Sequence, residues 1–435
     1  MTTSNTKPRA RAIQNPRSRR SALRASTALA GFAGAVAFAL TTALSPMAQA
    51  QTLPTEGSVS AGSATIATAP NTLTVTQSSQ NVAINWQTFS IGANDAVVFV
   101  QPNSSAIALN RVLGADPSAI FGTLTANGQV FLINPNGIVF GQGSQVNVGG
   151  LVASSLALSD SDFMAGEYRF SGAGAGAVLN QGSLVANGGF VALLGANVSN
   201  EGLIQANLGT IALAAGEAIT LDVAGDGLLN LAIDQGAINA LVQNGGMLRA
   251  DGGRVLMTAQ AAGALLRTVV NNTGVIEART LGTREGTIVL LADMQSGTAN
   301  IDGVLDASAP NGGAGGFIET SAATVNIANT TLVTTSATSG ATGTWLIDPA
   351  DFTIEDGGNI SGATLSDNLV TNNVVIDTTT GAGADLPGNG DIFVNEAIEW
   401  TASGDTTTLT LISARDVDIN AAITATNGNL VVCCG

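Results

Sequence analysis

A phrase that recurs beyond Gly172 constrains the fold of this chain more than any other feature. Each copy has Asn, then Gly, an aliphatic residue and Ala, followed by a Gly-containing turn and an alternating aliphatic strand. The glycines shared by the copies are Gly182, Gly202, Gly246, Gly274 and Gly303. Their spacings are 20, 44, 28 and 29 residues, and we interpret the spacing of 44 as two coils. Units of this size cannot bury their own apolar faces, so they stack as a solenoid.

The strand pattern favours a narrow parallel β-helix over a β-sandwich. Val, Ile, Leu and Ala alternate with Thr, Asn, Asp and Gln, which places aliphatic side chains inside and polar ones outside. Aromatic residues make up 4% of the chain, so the core must be aliphatic. The Asn at one place in each coil predicts left-handed turn corners and side-chain hydrogen bonds along the helix axis.

The N-terminal region up to about Gly150 has the same chemistry with less regularity. Its predicted strands are Leu73–Thr76, Val82–Trp86, Val97–Gln101, Ile107–Val112, Val130–Ile133 and Val146–Val148. The first coil of a solenoid exposes unpaired backbone groups, so this region must also provide a cap. The segment Ser159–Met164 predicts an N-cap and a short helical turn that projects from the rod.

Residues 1–50 have the pattern of a secretory signal peptide. Seven basic residues precede an apolar stretch from about residue 28 to residue 44, and Ala48-Gln49-Ala50 predicts cleavage after Ala50. An N-terminal membrane anchor is the alternative, and the small-residue ending with its polar continuation argues against it. No later apolar run approaches the length of a membrane helix.

Charge and residue usage beyond residue 50 exclude several classes of function. Eight arginines stand against 31 acidic residues, a net charge of −23 that repels nucleic acid and anionic membranes. Histidine is absent throughout and lysine is absent beyond residue 50, which removes the usual acid–base, nucleophilic and metal-binding side chains. We therefore predict no catalytic, cofactor or metal site. The closest carboxylate pairs, which we interpret as turn or cap residues, are Asp160 with Asp162, Asp222 with Asp226, and Asp348 with Asp351.

The only cysteines, Cys433 and Cys434, are adjacent, too close for an unstrained disulfide and without the further ligands that a metal site needs. They follow a strand-like segment with no cap. We expect the C-terminus to be the truncated or frameshifted end of a longer protein.

One segment carries a family resemblance. The turn Asn134-Pro135-Asn136-Gly137 lies between the apolar runs Val130–Ile133 and Ile138–Phe140. The chain from roughly Leu73 to Ile354, with this tetrapeptide as its most specific part, closely resembles the secretion domain of the filamentous haemagglutinin family. Members of that family are the exported partners of bacterial two-partner secretion. A second phrase, Gly343–Ile354, is similar to the segment that closes the secretion region in large family members.

The resemblance implies an all-β fold, a right-handed parallel β-helix with a capped N-terminal region and short extra-helical strands. It implies a secretion domain over residues 51–345 with a core at about 60–175, and the start of an exposed passenger over residues 346–435. Recognition is implied around Asn134, Pro135, Asn136 and Gly137, and around a second turn. That second turn, Gln101-Pro102-Asn103-Ser104, departs from the family's Asn-Pro-Asn-Leu, which puts this element in doubt.

The resemblance also implies a function. The chain is expected to reach the periplasm through the Sec machinery, to cross the outer membrane through a TpsB transporter with POTRA domains, and to act as a secreted or surface adhesin on host receptors or glycans. The first alternative is a β-helical polysaccharide lyase or hydrolase, opposed by the missing His and Lys. The second is an outer-membrane β-barrel, opposed by scarce aromatics and an irregular repeat.

Overall fold

The computed structural model of the chain describes residues 53–172, 174, 176–223, 229–263, 268–380 and 387–434. The predicted signal peptide, with Ala48 and Ala50 at its cleavage site, lies outside these residues. The described residues form 41 strands and two short helices.

The strands before the first helix are β1 (Ser58–Ala61), β2 (Ala64–Ala69), β3 (Thr72–Gln77), β4 (Asn81–Trp86), β5 (Ala96–Val100), β6 (Ile107–Val112), β7 (Ser118–Ile120), β8 (Thr123–Ala126), β9 (Gln129–Ile133), β10 (Ile138–Phe140), β11 (Gln145–Asn147) and β12 (Gly150–Ser154). Helix α1 and the strands up to the second helix are α1 (Asp160–Ala165), β13 (Tyr168–Ser171), β14 (Val178–Asn180), β15 (Ser183–Val185), β16 (Phe190–Gly195), β17 (Asn197–Asn200), β18 (Leu203–Gln205), β19 (Thr210–Ala215), β20 (Ala218–Val223), β21 (Leu229–Gln235), β22 (Leu241–Asn244), β23 (Met247–Arg249), β24 (Arg254–Ala259), β25 (Val269–Asn272), β26 (Val275–Glu277), β27 (Thr287–Leu291), β28 (Thr298–Ile301), β29 (Val304–Asp306), β30 (Phe317–Ser321), β31 (Thr324–Ile327), β32 (Leu332–Thr334), β33 (Thr344–Asp348) and β34 (Phe352–Ile354). Helix α2 and the last strands are α2 (Gly362–Leu369), β35 (Asn373–Asp377), β36 (Ile392–Val394), β37 (Ile398–Thr401), β38 (Thr407–Ser413), β39 (Val417–Ile419), β40 (Ile423–Thr426) and β41 (Gly428–Cys434).

These strands wind into three long sheets because each coil contributes one strand to each sheet. A sheet of 14 strands, which we call the long sheet, has the order β1-β4-β6-β9-β12-β16-β19-β24-β27-β30-β33-β35-β38-β41. The second, of eight strands, runs from β7 to β31, and the third, of 11 strands, runs from β2 to β32. Strands β9, β10 and β11 belong to the three sheets in turn, and β12 returns beside β9 in parallel register. The chain is a parallel β-helix, as predicted.

Coil length varies because segments of different length are inserted at the corners of the helix. Val191 pairs with Ile211, which matches the repeat spacing of 20 residues. Ile211 pairs with Val255 in the next coil, so the spacing of 44 is one coil, and our interpretation of it as two was wrong. The additional residues form the antiparallel pair β20–β21, which leaves the helix between β19 and β22.

The interior of the coils is filled by stacked aliphatic side chains. Val191, Ile211 and Val255 lie one above another and are fully buried, as are Leu193 and Leu213 two residues further along. The alternation of side chains along a strand directs them into one continuous core. Burying each of these side chains stabilises the fold by roughly 1.5–3 kcal/mol.

A ladder of asparagines runs along the inside of the eight-stranded sheet. The Nδ2 of Asn180 donates to Oδ1 of Asn200 over 2.7 Å, and the same bond joins Asn200 to Asn244 and Asn244 to Asn272 over 2.8 Å. All four residues are buried at the ends of strands. The predicted hydrogen bonds along the axis are confirmed. The predicted left-handed corners are wrong, because none of the four has a positive φ.

The N-terminal end is closed by antiparallel strands. Strand β1 pairs antiparallel with β4, and β2 pairs antiparallel with β3, so the first coil does not present an open sheet edge there. Trp86 lies beneath this cap, and its ring packs edge-to-face on Phe89 with centroids 5.6 Å apart. The capped N-terminal region is as expected.

A second apolar core lies outside the coils, on the outer face of the long sheet. Helix α1 and a three-stranded antiparallel sheet, β13-β20-β21, cover that face, and we call this cover the outer layer. The ring of Phe131 lies 5.3 Å from that of Tyr168 and 6.2 Å from that of Phe163. Phe163 is fully buried, so the helical turn at Ser159–Met164 packs against the rod, and the prediction that it projects was wrong.

Helix α2 interrupts the regular winding near the C-terminal third of the chain. It follows β34 and lies against β32, the last strand of the 11-stranded sheet. The backbone N–H of Val333 donates to Oδ1 of Asn368 over 2.8 Å, and that of Thr335 donates to Oδ1 of Asn372 over 2.6 Å. The Nδ2 of Asn372 donates to the Val333 carbonyl over 2.8 Å. Amide side chains therefore take the place of the next strand along this edge.

Candidate functional site

The Asn134–Gly137 turn is a corner of the β-helix. It carries the chain from β9 in the long sheet to β10 in the eight-stranded sheet, so its flanking strands lie in different sheets. The N–H of Gly137 donates to the Asn134 carbonyl over 2.9 Å, and the N–H of Asn136 donates to Oδ1 of Asn134 over 3.0 Å. Gly137 has φ +110°, whereas Asn136 does not have a positive φ. The corner is a β-turn closed by an Asn side chain.

The amide side chains of this corner bind the preceding coil. Asn134 is fully buried, and its Nδ2 donates to the Asp116 carbonyl and to Oγ of Ser118, over 3.0 Å in each case. The Nδ2 of Asn136 donates to the Gly114 carbonyl over 3.0 Å. A buried amide that loses such partners costs about 1–3 kcal/mol, so Asn134 holds two coils together.

The following coil closes over the same corner. A Cβ on Gly137 would lie 3.0 Å from the Ala177 carbonyl oxygen, and a Cβ on Gly176 would lie 2.1 Å from the Gly137 nitrogen. Only close backbone packing of glycines permits this approach. Pro135 and Asn136 are the exposed residues of the turn, while Asn134 and Gly137 are buried. A partner protein can therefore contact Pro135 and Asn136 directly.

The second predicted turn lies at another corner, between β5 and β6. Gln101 is buried, and its Nε2 donates to Oε1 of Gln77 over 3.0 Å and to the Ala106 carbonyl over 2.9 Å, while Oε1 accepts from the N–H of Gly128 over 2.9 Å. Pro102 and Asn103 are exposed. Gln101 thus has a structural role that its sequence position alone did not indicate.

The structure does not bring the two turns together. The turn at Gln101–Asn103 precedes a strand of the long sheet, and the turn at Asn134–Gly137 follows one. The two turns therefore lie at opposite ends of the strands of that sheet, separated by the length of a strand. The segments that contain α1 with β13, and β20 with β21, leave the helix at the same corner as Asn134–Gly137, in later coils.

The short extra-helical strands that the resemblance implies are confirmed by β13, β20 and β21, but sequence reasoning did not identify which segments form the outer layer or the ion pair that fixes it. The Nη2 of Arg111 donates to Oδ1 of Asp160 and to the Leu158 carbonyl, both over 2.7 Å, and Nη1 donates to Oδ1 of Asn85 over 3.0 Å. Burial opposes ionisation of Asp160, but hydrogen bonds from Arg111 and Ser60 and the charge of Arg111 outweigh it and lower the pKa of Asp160. This pair attaches the first turn of α1 to the long sheet.

The missed layer has a signal in the sequence. Strand Gln129–Ile133 reads Val-Phe-Leu-Ile after its first residue, and Phe190–Gly195 is also apolar without alternation. Every residue of Val130–Ile133 is buried. A continuous apolar run indicates a strand covered on both faces, whereas alternation indicates one covered face. These runs therefore mark where the outer layer lies.

The interpretation of the carboxylate pairs as turn or cap residues is only partly right, because Asp222 lies in strand β20 and Asp348 ends strand β33. Asp160 and Asp162 lie in the first turn of α1. Oδ1 of Asp351 accepts the N–H groups of Asn389, Gly390 and Asp391, each over 2.9 Å, so the glycine-rich turn there wraps a carboxylate. Asp226 lies outside the described residues. Within those residues no group of three or more His, Cys, Asp or Glu side chains is placed to hold a metal ion.

Asp348 has the one pKa that approaches neutrality among the described carboxylates. Burial, followed by repulsion from Asp377 and Glu319, raises the pKa of Asp348 to about 6, against the hydrogen bond that Thr380 donates to it. Asp348 pairs with Ser321 in the preceding coil. Burial, with the neighbouring carboxylates of Asp377 and Glu319 as smaller causes, accounts for the raised pKa of Asp348 without a catalytic role.

Comparison with known proteins finds similarity over more than half of the chain. The family profile described as the TPS secretion domain matches residues 48–305. A heme/hemopexin-binding protein of Haemophilus influenzae is 36% identical over 255 residues, which is 57% of this chain and 28% of that protein. A second heme/hemopexin-binding protein of Haemophilus influenzae is 29% identical over 249 residues, 52% of this chain and 26% of that protein. The chain thus spans about a quarter of the length of these curated relatives.

A solved structure extends the likeness to most of the fold. The crystal structure of the HMW1 secretion domain from Haemophilus influenzae superposes with a TM-score of 0.65 at 25% sequence identity. The match covers 87% of this chain and 100% of that one. No helix among the described residues has the length and apolar character to cross a membrane.

Proposed function

The chain belongs to the family of TPS secretion domains, and from this membership we propose that it is the secretion region of a two-partner exoprotein, exported across the outer membrane by a TpsB-type transporter. The observation that carries the proposal is the match of the family profile over residues 48–305. We assign the secretion domain to residues 51–345, with its core at about 60–175, and the start of the exposed passenger to residues 346–435.

The proposed route begins with the basic and apolar segment in residues 1–50. Cleavage after Ala50, in the sequence Ala48-Gln49-Ala50, releases the chain into the periplasm of a Gram-negative bacterium. There the POTRA domains of the transporter bind the secretion core. Each coil of a solenoid needs only its predecessor for folding, so the rod can grow at the cell surface as the chain emerges.

Recognition is assigned to the exposed residues of the two turns. Pro135 and Asn136 at one corner, with Pro102 and Asn103 at the other, face solvent. Gln101, Asn134 and Gly137 are buried and maintain the fold that presents them. The two corners lie at opposite ends of the strands of the long sheet. A transporter that contacts both must therefore extend over the length of one strand.

For the exported protein we propose adhesion to host receptors or glycans, without enzymatic activity. The curated relatives are named for heme and hemopexin binding. This chain has no histidine, and its single tyrosine, Tyr168, packs against Phe131, so its residues do not favour heme ligation. A β-helical lyase or hydrolase is disfavoured because lysine beyond residue 50 is also absent.

Export in the presence of the partner transporter tests the proposal. We expect deletion of residues 51–172 to leave the protein in the periplasm, and deletion of residues 404–435, far from the core, to leave export intact. Cell fractionation measures both. Release of the protein lacking residues 51–172 at the wild-type level would refute the assignment.

A point variant separates recognition from folding. Asn136→Asp keeps the size of this exposed side chain but replaces its Nδ2 with an oxygen, which cannot donate to the Gly114 carbonyl. If Asn136 contacts the transporter, export falls while the urea unfolding midpoint stays near that of the wild type. If export and stability fall together, Asn136 serves only the corner.

A further inference from the structure

A cleft beside the outer layer has the lining of a ligand site. It lies where strands of the long sheet begin, between that sheet and the ends of α1, β13 and β20, and encloses about 550 Å³. This volume falls within the range of about 300–1,000 Å³ that is typical of small-ligand sites. We call it the side cleft, and the lining residues used below are Ser104, Gln129, Tyr168, Asn187, Phe190 and Asp222.

Two aromatic side chains line the side cleft. Phe190 is buried in the sheet, and Tyr168 is half-buried, held from behind by the ring of Phe131 at 5.3 Å and tilted against that of Phe163 at 6.4 Å. A ring that is already fixed by its neighbours loses little freedom when a ligand packs on it. Tyr also offers a hydroxyl beside its apolar ring, which suits a ligand with both kinds of surface.

The polar groups of the side cleft include one that lacks a partner. Oε1 of Gln129 is buried and accepts no hydrogen bond from the described part of the chain. A buried acceptor of this kind is costly, and in native proteins it calls for an explanation. Asn187 uses its Oδ1 to accept from Nε2 of Gln205 and from the N–H of Asn207, which leaves its amide group as a donor.

The charge of the lining selects the kind of ligand. Among the described residues that line the side cleft, Asp222 is the one with a charge, and none of them is Lys or Arg. The chain beyond residue 50 has a net charge of −23, so an anionic ligand is repelled both locally and over distance. Apolar rings beside carboxamide, carboxylate and hydroxyl groups match the alternating apolar faces and hydroxyl groups of an uncharged sugar.

We propose that the side cleft binds the end of a neutral oligosaccharide, with a sugar ring packed on Tyr168. The half-buried Gln129 side chain turns its unpartnered Oε1 out of its buried position to accept from a sugar hydroxyl. Asp222 and Asn187 supply an acceptor and a donor for further hydroxyls. The proposal deepens the adhesion part of the proposed function, and places a glycan contact within the secretion domain itself. Export does not depend on it, so each proposal can fail without the other.

Binding is tested on the purified full chain with defined probes. Lactose, N,N′-diacetylchitobiose and maltotriose are the neutral probes, and sialyllactose is the anionic counterpart, each titrated by calorimetry and saturation-transfer NMR. We expect one or more neutral probes to bind, and sialyllactose to bind more weakly than lactose. No binding by any neutral probe, or preference for sialyllactose, would overturn the proposal.

Variants place the binding in the side cleft. We expect Tyr168→Ala to weaken binding roughly tenfold, the loss of one ring contact. Ser104→Trp, at an exposed position on the rim, should block the cleft without disturbing the core. Phe317→Ala is the control, because this partly exposed ring lies elsewhere on the long sheet. With circular dichroism unchanged, binding that survives Ser104→Trp, or that Phe317→Ala weakens equally, contradicts the assignment.

Discussion

At the scale of single residues, asparagine stabilises this helix in three different positions. It forms the buried ladder from Asn180 to Asn272, it closes the corner at Asn134, and at Asn372 it pairs with the edge of a sheet. In each position the carboxamide offers both a donor and an acceptor, as a peptide group does. Asn can therefore satisfy the backbone and its own copies in the neighbouring coils.

The ladder gives a prediction with an internal control. Asn200→Ala removes the bonds to Asn180 and Asn244, so that Oδ1 of Asn244 loses its donor and Nδ2 of Asn180 keeps only two weaker bonds of 3.4 Å to backbone carbonyls. We therefore expect a loss of about 1–3 kcal/mol of stability. Asn300 has bonds of similar length to Asn271 and Asn326, but these lie nearer to solvent. Asn300→Ala should cost less than about 1 kcal/mol, because water replaces the lost partners. Equal losses in urea unfolding would contradict burial as the cause.

The corner glycine gives a second prediction. Gly137 combines φ +110° with a carbonyl oxygen 3.0 Å from the position of a Cβ. We expect Gly137→Val to cost about 1–3 kcal/mol, with Gly137→Ala milder. Gly143, with φ +87° and no atom within 4 Å of its Cβ position, is the control. Chemical denaturation should show Gly143→Ala to be milder than Gly137→Ala, and the reverse order would exclude crowding by Ala177.

A third prediction concerns pH. The folded chain raises the pKa of Asp348 from 3.8 to about 6, so between these values the folded state binds more protons than the unfolded state. Its contribution to stability therefore decreases as pH rises from about 4 to 6 and stays lost above that. Asp348→Asn should flatten this slope in urea midpoints, while Glu399→Gln, at an exposed site, should not. An unchanged slope in Asp348→Asn would assign the effect to other groups.

At the scale of elements, the edge formed by β32 depends on amide side chains that follow it by a whole coil. Asn372→Ala leaves the Thr335 N–H and the Val333 carbonyl without their partner, so we expect a loss of about 2–3 kcal/mol. Asp367→Ala, at an exposed position of α2 itself, should change stability by less than about 0.5 kcal/mol. Thermal and urea unfolding measure the stability of both variants. Similar losses of stability would show that the edge depends on helix α2 as a whole and not on the amide of Asn372.

The sequence predicted the elements of the helix better than their contacts. Strands such as Ile107–Val112, the repeat from Gly182 to Gly303 and the N-terminal cap follow from local patterns of aliphatic, Asn and Gly residues. Extra-helical strands were expected, but the segments that form the outer layer were not identified, because the contact of Phe131 with Tyr168 joins segments that are distant in the sequence. For the same reason the spacing of 44 was misinterpreted, since an inserted hairpin and an additional coil have the same alternation.

The candidate site was predicted in part. The turn at Asn134–Gly137 was expected, but not that it is a corner between two sheets. The burial of Gln101 and Asn134 depends on neighbouring coils, so a single segment could not reveal which turn residues face a partner.

At the scale of the whole molecule, a solenoid should tolerate the loss of a complete coil. Val275 pairs with Val304 in the next coil, so deletion of residues 275–303 joins equivalent points. Arg249 then faces Asp306 in place of Glu277, which preserves the charge pairing. We expect this variant to fold cooperatively, because each coil contacts only its neighbours. Deletion of residues 275–288 breaks the register, and a folded product there, by circular dichroism, would contradict the stacking argument.

The interruption of two sheets beside helix α2 has a mechanical consequence. The long sheet continues past α2 without interruption. The eight-stranded and 11-stranded sheets end there, at β31 and β32, and amide side chains bond to their last strands. A rod held at one end and loaded sideways by flowing liquid bends where its section is weakest. In this rod the long sheet acts as the hinge, and the side formed by the two interrupted sheets opens under tension. A sideways load would therefore bend the rod at α2 before it bends the coils on either side.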